Sequence, residues 1–236
     1  MIVVTGAGSG IGAGVTATLA AAGRTIVALD RQWADDEPPL GVERWTVDVV
    51  DPEAMRACFE QAVPPGTDVT GLVCAAGIQH RSPTISLAPA DWHRVLGVHL
   101  DGSLFACQLA AERMGRGGSI VLFSSVAEFF GWPERAAYAV AKAGLSALAR
   151  TLAVEWSDRN IRVNSIALGY VDTPLIARAR ARGELSGDPE GLHALGRMAT
   201  VAEIVSPIEF LLSDNSSFVT GATIAIDGGY SVMKVR

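Results

Sequence analysis

The segment Ile2-Val3-Val4-Thr5-Gly6-Ala7-Gly8-Ser9-Gly10-Ile11-Gly12, running straight into the helix-forming stretch 13–22, leaves this chain few folds to choose from. A short β-branched strand, a turn of alternating glycines and a helix make the strand–turn–helix of a dinucleotide site. Glycine lets the backbone approach a pyrophosphate without a Cβ in the way. The helix N-terminus then offers unpaired N–H groups and a favourable dipole to that anion. Gly6, Ser9, Gly10, Ile11 and Gly12 are therefore candidate cofactor-binding residues. A lone turn of this kind also fits a tight turn packed under a helix. Here a second strand, 25–29, follows at βαβ distance and ends in Asp30. An acidic side chain about 20 residues beyond the glycines binds ribose hydroxyls and repels a 2′-phosphate, which favours NAD over NADP. Arg31 pulls the other way, because a basic residue there can accept the phosphate, but Ser9 supplies no second cation inside the turn.

Further along, strands are expected near 43–47, 70–75, 119–125, 161–166 and 221–226. Helical patterns fall at 52–61, 92–114 and from Tyr138 to Trp156. The connection 32–41 carries Pro38 and Pro39 and is a poor place for a helix. Alternation of strand and helix implies one α/β domain spanning 1–236, a Rossmann-type, doubly wound, parallel seven-stranded sheet with helices on both faces. The site of such a sheet lies at the carboxyl ends of its strands. Asp48, with Val49 beside it, either meets an adenine there or simply caps its own loop. Ala75-Ala76-Gly77 closes the fourth strand with the small residues that a nucleotide lying across the sheet edge requires.

Tyr138 and Lys142 are four residues apart in a helical stretch, so phenol and ammonium point the same way. A cation beside a phenol lowers its pKa from about 10 and makes it a general acid/base. Ser125, at the end of the fifth strand, can donate a hydrogen bond to a carbonyl or alkoxide held against the same Tyr. An isolated Tyr–Lys pair is an ordinary feature of an amphipathic helix; behind a dinucleotide turn the three residues read as alcohol/ketone chemistry.

Composition narrows the rest. About half of the residues are apolar, yet no run approaches the ~18 consecutive apolar residues of a membrane span. The first strand begins at once, without a charged leader, so a cytoplasmic location is expected. Cys58, Cys74 and Cys107 are widely spaced and suit buried thiols better than disulfides or a metal site, and no metal is expected. A net charge of −6 argues against a nucleic-acid partner. Arg178, Arg180 and Arg182 alternate round a helix and read as a solvated face, the alternative being that one of them meets an anionic group.

On these residues the chain resembles the short-chain dehydrogenases/reductases from about Ile2 to Tyr230. The resemblance implies Thr5-Gly6-x-x-x-Gly10-x-Gly12 as the cofactor turn and Ser125, Tyr138 and Lys142 as the catalytic set. It implies that Lys142 also holds the nicotinamide ribose, and that Thr173, with Val171 nearby, binds the carboxamide. The implied mechanism has Tyr138 take the hydroxyl proton while hydride passes to the nicotinamide. A homotetramer is implied as well, built partly on the helices 92–114 and 138–156.

Three departures from the family pattern stand out. Cys74-Ala-Ala-Gly77 replaces Asn-Asn-Ala-Gly, Leu168-Gly169 replaces Pro-Gly and gives a looser turn, and His99 stands where the family has an Asn that anchors a proton-relay water. Either His99 takes over the relay, with a pH-sensitive imidazole, or it merely packs in its helix. The pocket is expected to draw on Gln79, Glu128, Phe129, Phe130, Trp132, Tyr170 and a glycine-punctuated lid over 174–198; the aromatics could instead meet a neighbouring subunit. The expected substrate is a small alcohol or ketone: a polyol, a sugar acid or a cyclic alcohol. A 3-oxoacyl-carrier-protein reductase and a non-catalytic NAD-binding sensor are the competing readings.

Overall fold

The computed structural model describes residues 1–33, 37–183, 185 and 187–234. Seven strands form one sheet: β1 (Ile2–Thr5), β2 (Ile26–Asp30), β3 (Val42–Thr46), β4 (Gly71–Cys74), β5 (Gly118–Ser125), β6 (Ile161–Leu168) and β7 (Thr223–Ile226). Their order is β3-β2-β1-β4-β5-β6-β7, with every neighbouring pair parallel. The winding reverses between β1 and β4, and that switch point opens a crevice at the strand C-termini.

The strands read as unbroken apolar runs because both faces are covered. Side chains alternate between two cores. Val3, Val27, Leu29, Leu72, Ile120 and Leu122 face α2 (Pro52–Ala62), α4 (Gly102–Arg113) and α5 (Ala136–Glu155). Ile2, Val4, Ile26, Ala28, Val73, Val121 and Phe123 face α1 (Gly10–Ala21) and α7 (Val201–Leu212). Each such aliphatic side chain contributes about 1.5–3 kcal/mol through burial, which fixes the strand register that aims the site.

Two elements differ from expectation. The helix anticipated over 92–114 starts earlier, as α3 (Pro89–Leu96), because Pro89 is well placed in a first helical turn. It then passes through a π-helical segment, Gly97–Asp101, before continuing as α4. A π turn widens the helix locally and is frequently found at functional sites; this one carries His99. The stretch beyond β6 forms a further helix, α6 (Pro174–Ala181), with Thr173 as its N-cap. The connection 32–41 shows no helix among its described residues, and 34–36 lie outside them. All three cysteines are buried and unbridged, and the neighbouring Cys74, with burial, raises the pKa of the Cys107 thiol. Among the described residues no helix is long and apolar enough to cross a membrane.

Candidate active site

The turn after β1 is held against its neighbours at backbone distance. Gly6 has φ +68°, and a Cβ there would stand 2.4 Å from the Ala76 amide nitrogen. A Cβ on Gly12 would stand 2.1 Å from the Gly6 carbonyl oxygen. Only glycine permits this cradle. α1 begins at Gly10 with no side-chain hydrogen bond from Ser9 and no acidic residue in its first turn, so its first N–H groups have no side chain of the cap competing for them. This arrangement fits a pyrophosphate. At the end of β2 the Asp30 carboxylate accepts from Gly8 N at 2.7 Å and from Gln32 N at 3.1 Å, which ties the acidic group to the glycine turn. Arg31 is exposed beside it. Asp48 is exposed and accepts from Val50 N at 3.2 Å, the loop-capping alternative. Val49 is buried under Gly102.

Across the crevice, Ile11, Ala75, Gly77, His99, Ser125, Tyr138, Lys142, Val171 and Thr173 line a single cleft. β5 delivers Ser125, α5 delivers Tyr138 and Lys142 one turn apart, and the π segment delivers His99. The Tyr138 hydroxyl faces Ser125 and Gln79, both of which favour its ionised form. Ser125 Oγ also accepts from Ala127 N at 3.2 Å, so the strand end and the turn after it orient the hydroxyl. Lys142 Nζ donates to the Phe123 carbonyl at 2.5 Å and lies 5.5 Å from the centre of the Tyr138 ring.

The electrostatics depart from the sequence expectation. The Tyr138 pKa is raised rather than lowered: burial of its polar end outweighs the opposing hydrogen bonds from Ser125 and Gln79 and the charge of Arg135. The Lys142 ammonium sits by the ring and a carbonyl rather than by the hydroxyl. Desolvation brings Lys142 itself down to about 7. Tyr138 is thus a neutral phenol at physiological pH, ready to act as an acid.

His99 is buried, its ring edge-on to Tyr138 with centroids 5.6 Å apart. Nε2 lies 2.9 Å from the Ile78 carbonyl and 3.2 Å from the Ile78 amide, and buried Nδ1 has no hydrogen-bond partner. Burial, helped by the charge of Lys142, depresses its pKa to about 3. The expected pH-sensitive imidazole is therefore neutral through the working range. Between about 3 and 6.5 the unfolded chain binds a proton that the fold excludes, so stability falls as pH drops through that window. His99→Asn should remove about 2–3 kcal/mol of the acid destabilisation seen near pH 4.5, read as a smaller shift of the urea midpoint between neutral and acid pH.

The pocket side is corrected in several places. Gln79, Trp132 and Tyr170 line the cleft with Leu175, Ile176, Ala179 and Leu185 from the 174–198 stretch, of which 184 and 186 lie outside the described residues. Glu128 does not line it: its carboxylate accepts hydrogen bonds from Ser124 and Ser146, a pairing that satisfies it away from the cleft. Phe130 stacks on Tyr230 at 5.4 Å, and Phe129 is half exposed. The turn at Leu168-Gly169 is braced rather than loose. His193 packs where a Gly169 Cβ would stand 2.6 Å from Nε2; Nε2 accepts from Tyr170 N at 3.1 Å, and Nδ1 donates to Pro189 O at 2.7 Å. Of the arginines, Arg180 pairs with Glu190 at the surface, whereas Arg182 reaches a recess beside the cleft.

Two residues escaped the sequence reading. His193 is a lone His in a glycine-rich stretch, and its sequence gives no signal. Arg135 gave one: a cation at the start of a helix opposes the helix dipole, which suggests that something other than helix stability placed it there.

A Rossmann sheet with a glycine cradle at its switch point and a Ser–Tyr–Lys cleft beside it defines a nucleotide-dependent oxidoreductase class. Residues 6–231 match the short-chain dehydrogenase family model described as enoyl-(acyl carrier protein) reductase. Galactitol 2-dehydrogenase (L-tagatose-forming) of Cereibacter sphaeroides is 36% identical over 241 residues, covering 97% of this chain and 94% of that one. Cis-4-hydroxycyclohexanecarboxylate dehydrogenase of Sinomonas cyclohexanicum is 35% identical over 241 residues, covering 98% and 96%. Among solved structures, 4-hydroxyisoleucine dehydrogenase complexed with NADH superimposes with a TM-score of 0.90 at 29% identity, covering 99% of each chain. The chain belongs to the short-chain dehydrogenase/reductase family, whose members use a nicotinamide cofactor, and is an oxidoreductase of that family.

Proposed function

We propose that this chain is an NAD(H)-dependent oxidoreductase that interconverts a secondary alcohol and a ketone, with Tyr138 as the acid/base. The observation that carries the reading is the meeting of Ser125, Tyr138 and Lys142 in one cleft that continues from the glycine cradle. Bound NAD would supply the hydride acceptor. Tyr138 takes the carbinol proton during oxidation and returns it during reduction, while Ser125 donates to the reacting oxygen. Lys142 places a titratable amine one turn away, where it can hold a ribose hydroxyl and bias the phenol when that oxygen ionises. His99, neutral and with an unpartnered Nδ1, serves as the relay group in place of Asn. If His99→Asn leaves both rate and pH profile unchanged, the relay assignment is wrong.

Leu175, Ile176 and Ala179 of α6 cover the cleft, which supports a lid over 174–198 that closes on substrate. Relatives that act on a polyol and on a cyclic hydroxy acid support the same substrate range for this chain. We place the enzyme in the cytoplasm as a homotetramer.

NAD is favoured by Asp30, fixed at the turn by Gly8 N and Gln32 N. Asp30→Ala should lower the ratio of kcat/KM for NAD⁺ over NADP⁺ by about 10–100-fold, since it removes both a ribose acceptor and a like charge against the 2′-phosphate. Kinetics with the two cofactors at saturating alcohol check this, and an unchanged ratio refutes the assignment. The competing carrier-protein reductase gains no charge argument from the recess beside the cleft mouth, where Arg81 is paired with Glu134. Asp30 opposes it, because a reductase of that kind is expected to use NADPH.

A further inference from the structure

We infer that the substrate carries a carboxylate as well as its reacting carbinol, and that Arg135 is the residue that binds the carboxylate. The inference rests on the alcohol/ketone reading for which end of the substrate reacts, and it adds what the other end must be.

Arg135 is 7% exposed, stands three residues ahead of Tyr138, and lines the same cleft. Its place at the N-cap of α5 sets the guanidinium against the helix dipole. Its Nη1 donates to Gln79 Oε1 at 2.7 Å, and its guanidinium carbon lies 5.7 Å from the centre of the Trp132 ring. Those two contacts fix the orientation of the planar fork, the group best matched to a carboxylate.

A second observation points to the same ligand. The Tyr170 hydroxyl is buried in this cleft without a hydrogen-bond partner, although Tyr170 is only 7% exposed. Its ring is set edge-on against Trp132 at 5.8 Å. Burial pushes the phenol up to about 12, so it stays a donor. An arginine and a donating phenol that both pack on Trp132, close enough for the Arg135 charge to act on the Tyr170 phenol, make a receptor for an anionic oxygen pair. Among the described lining residues none is acidic, while Lys142 and Arg135 are both basic.

The remaining walls are apolar: Trp132, Leu175, Ile176, Ala179 and Leu185. Arg135 stands three residues ahead of Tyr138 and its charge acts on that phenol, so the two ends of the ligand are separated by a short apolar body, one ring or a few carbons. That describes a hydroxy acid rather than a polyol, whose many hydroxyls would find too few partners here.

The test compares a carboxylate with its neutral isostere. Binding of cyclohexanecarboxylate and of cyclohexanecarboxamide to the NADH-loaded enzyme is measured by calorimetry, alongside NAD⁺ turnover of the corresponding 4-hydroxy compounds. The acid should be preferred by about 100-fold in affinity or in KM. Arg135→Gln should collapse that ratio to within about threefold and Arg135→Lys restore part of it, with NADH affinity and thermal melting confirming that each variant is folded. The inference is overturned if the native enzyme does not discriminate acid from amide, or if Arg135→Gln keeps the same ratio. If no alcohol is turned over, the alcohol/ketone reading fails, and the binding ratio still decides the carboxylate site.

Discussion

Tyr138→Phe should lower kcat by about 10²–10⁴-fold while leaving NADH affinity nearly unchanged, because the substitution removes one oxygen and keeps the ring. That oxygen is the only side-chain group of Tyr138 that can exchange a proton, and it faces Ser125 and Gln79. With the phenol raised above its ordinary pKa, ketone reduction by the parent should run at neutral pH with the phenol protonated. Alcohol oxidation should rise with pH as the phenol ionises. The variant should lose this asymmetry along with its rate. Stopped assays in both directions, from about pH 6 to 10, measure it; a residual rate within a few-fold of the parent would remove Tyr138 from the chemistry.

Lys142→Met should separate activity from stability. Turnover should fall by a factor comparable to that of Tyr138→Phe, since the amine proposed to hold the ribose hydroxyl beside the phenol is gone. Stability should move the other way. Burial holds the Lys142 pKa at about 7, below its unfolded value near 10.4, so between these the unfolded chain binds the extra proton. Below about pH 7 the fold must therefore carry a buried ammonium, at a cost that fades as pH rises through the window. Allowing for the lost hydrogen bond to Phe123, the Met variant should be more stable by about 2–4 kcal/mol near pH 6 and should lose that advantage near pH 10. Urea midpoints at the two pH values decide it; a variant less stable at both would show that the amine supports the fold rather than straining it.

The sheet was legible because its strands must be apolar on both faces, and Ile2-Val-Val-Thr5 and Ile161-Arg-Val-Asn-Ser-Ile166 stand out between polar connections. The cradle was legible because only glycine tolerates backbone contacts such as those at Gly6 and Gly12. The π turn at His99 was not. A single extra residue in a helical turn leaves the apolar pattern of 92–114 almost undisturbed, so the sequence reads as one helix.

Electrostatics were the least legible. The i, i+4 spacing of Tyr138 and Lys142 is visible in sequence, but where the ammonium points is decided by the Phe123 carbonyl, which lies in another element. Likewise Glu128 is expected in the pocket from sequence, but Ser124 and Ser146 account for its carboxylate. Arg135 meets Gln79 and His193 meets Tyr170 across 56 and 23 residues of sequence, contacts that periodicity does not encode.

The most direct test of the account is NADH formation at mildly alkaline pH from polyols, sugar acids, cyclic alcohols and hydroxy acids, with NAD⁺ or NADP⁺, beside the Tyr138→Phe variant. The account predicts NAD⁺-dependent turnover of at least one secondary alcohol that disappears in the variant. Tight NADH binding with no turnover of any alcohol or ketone would contradict it and leave a nucleotide sensor in its place.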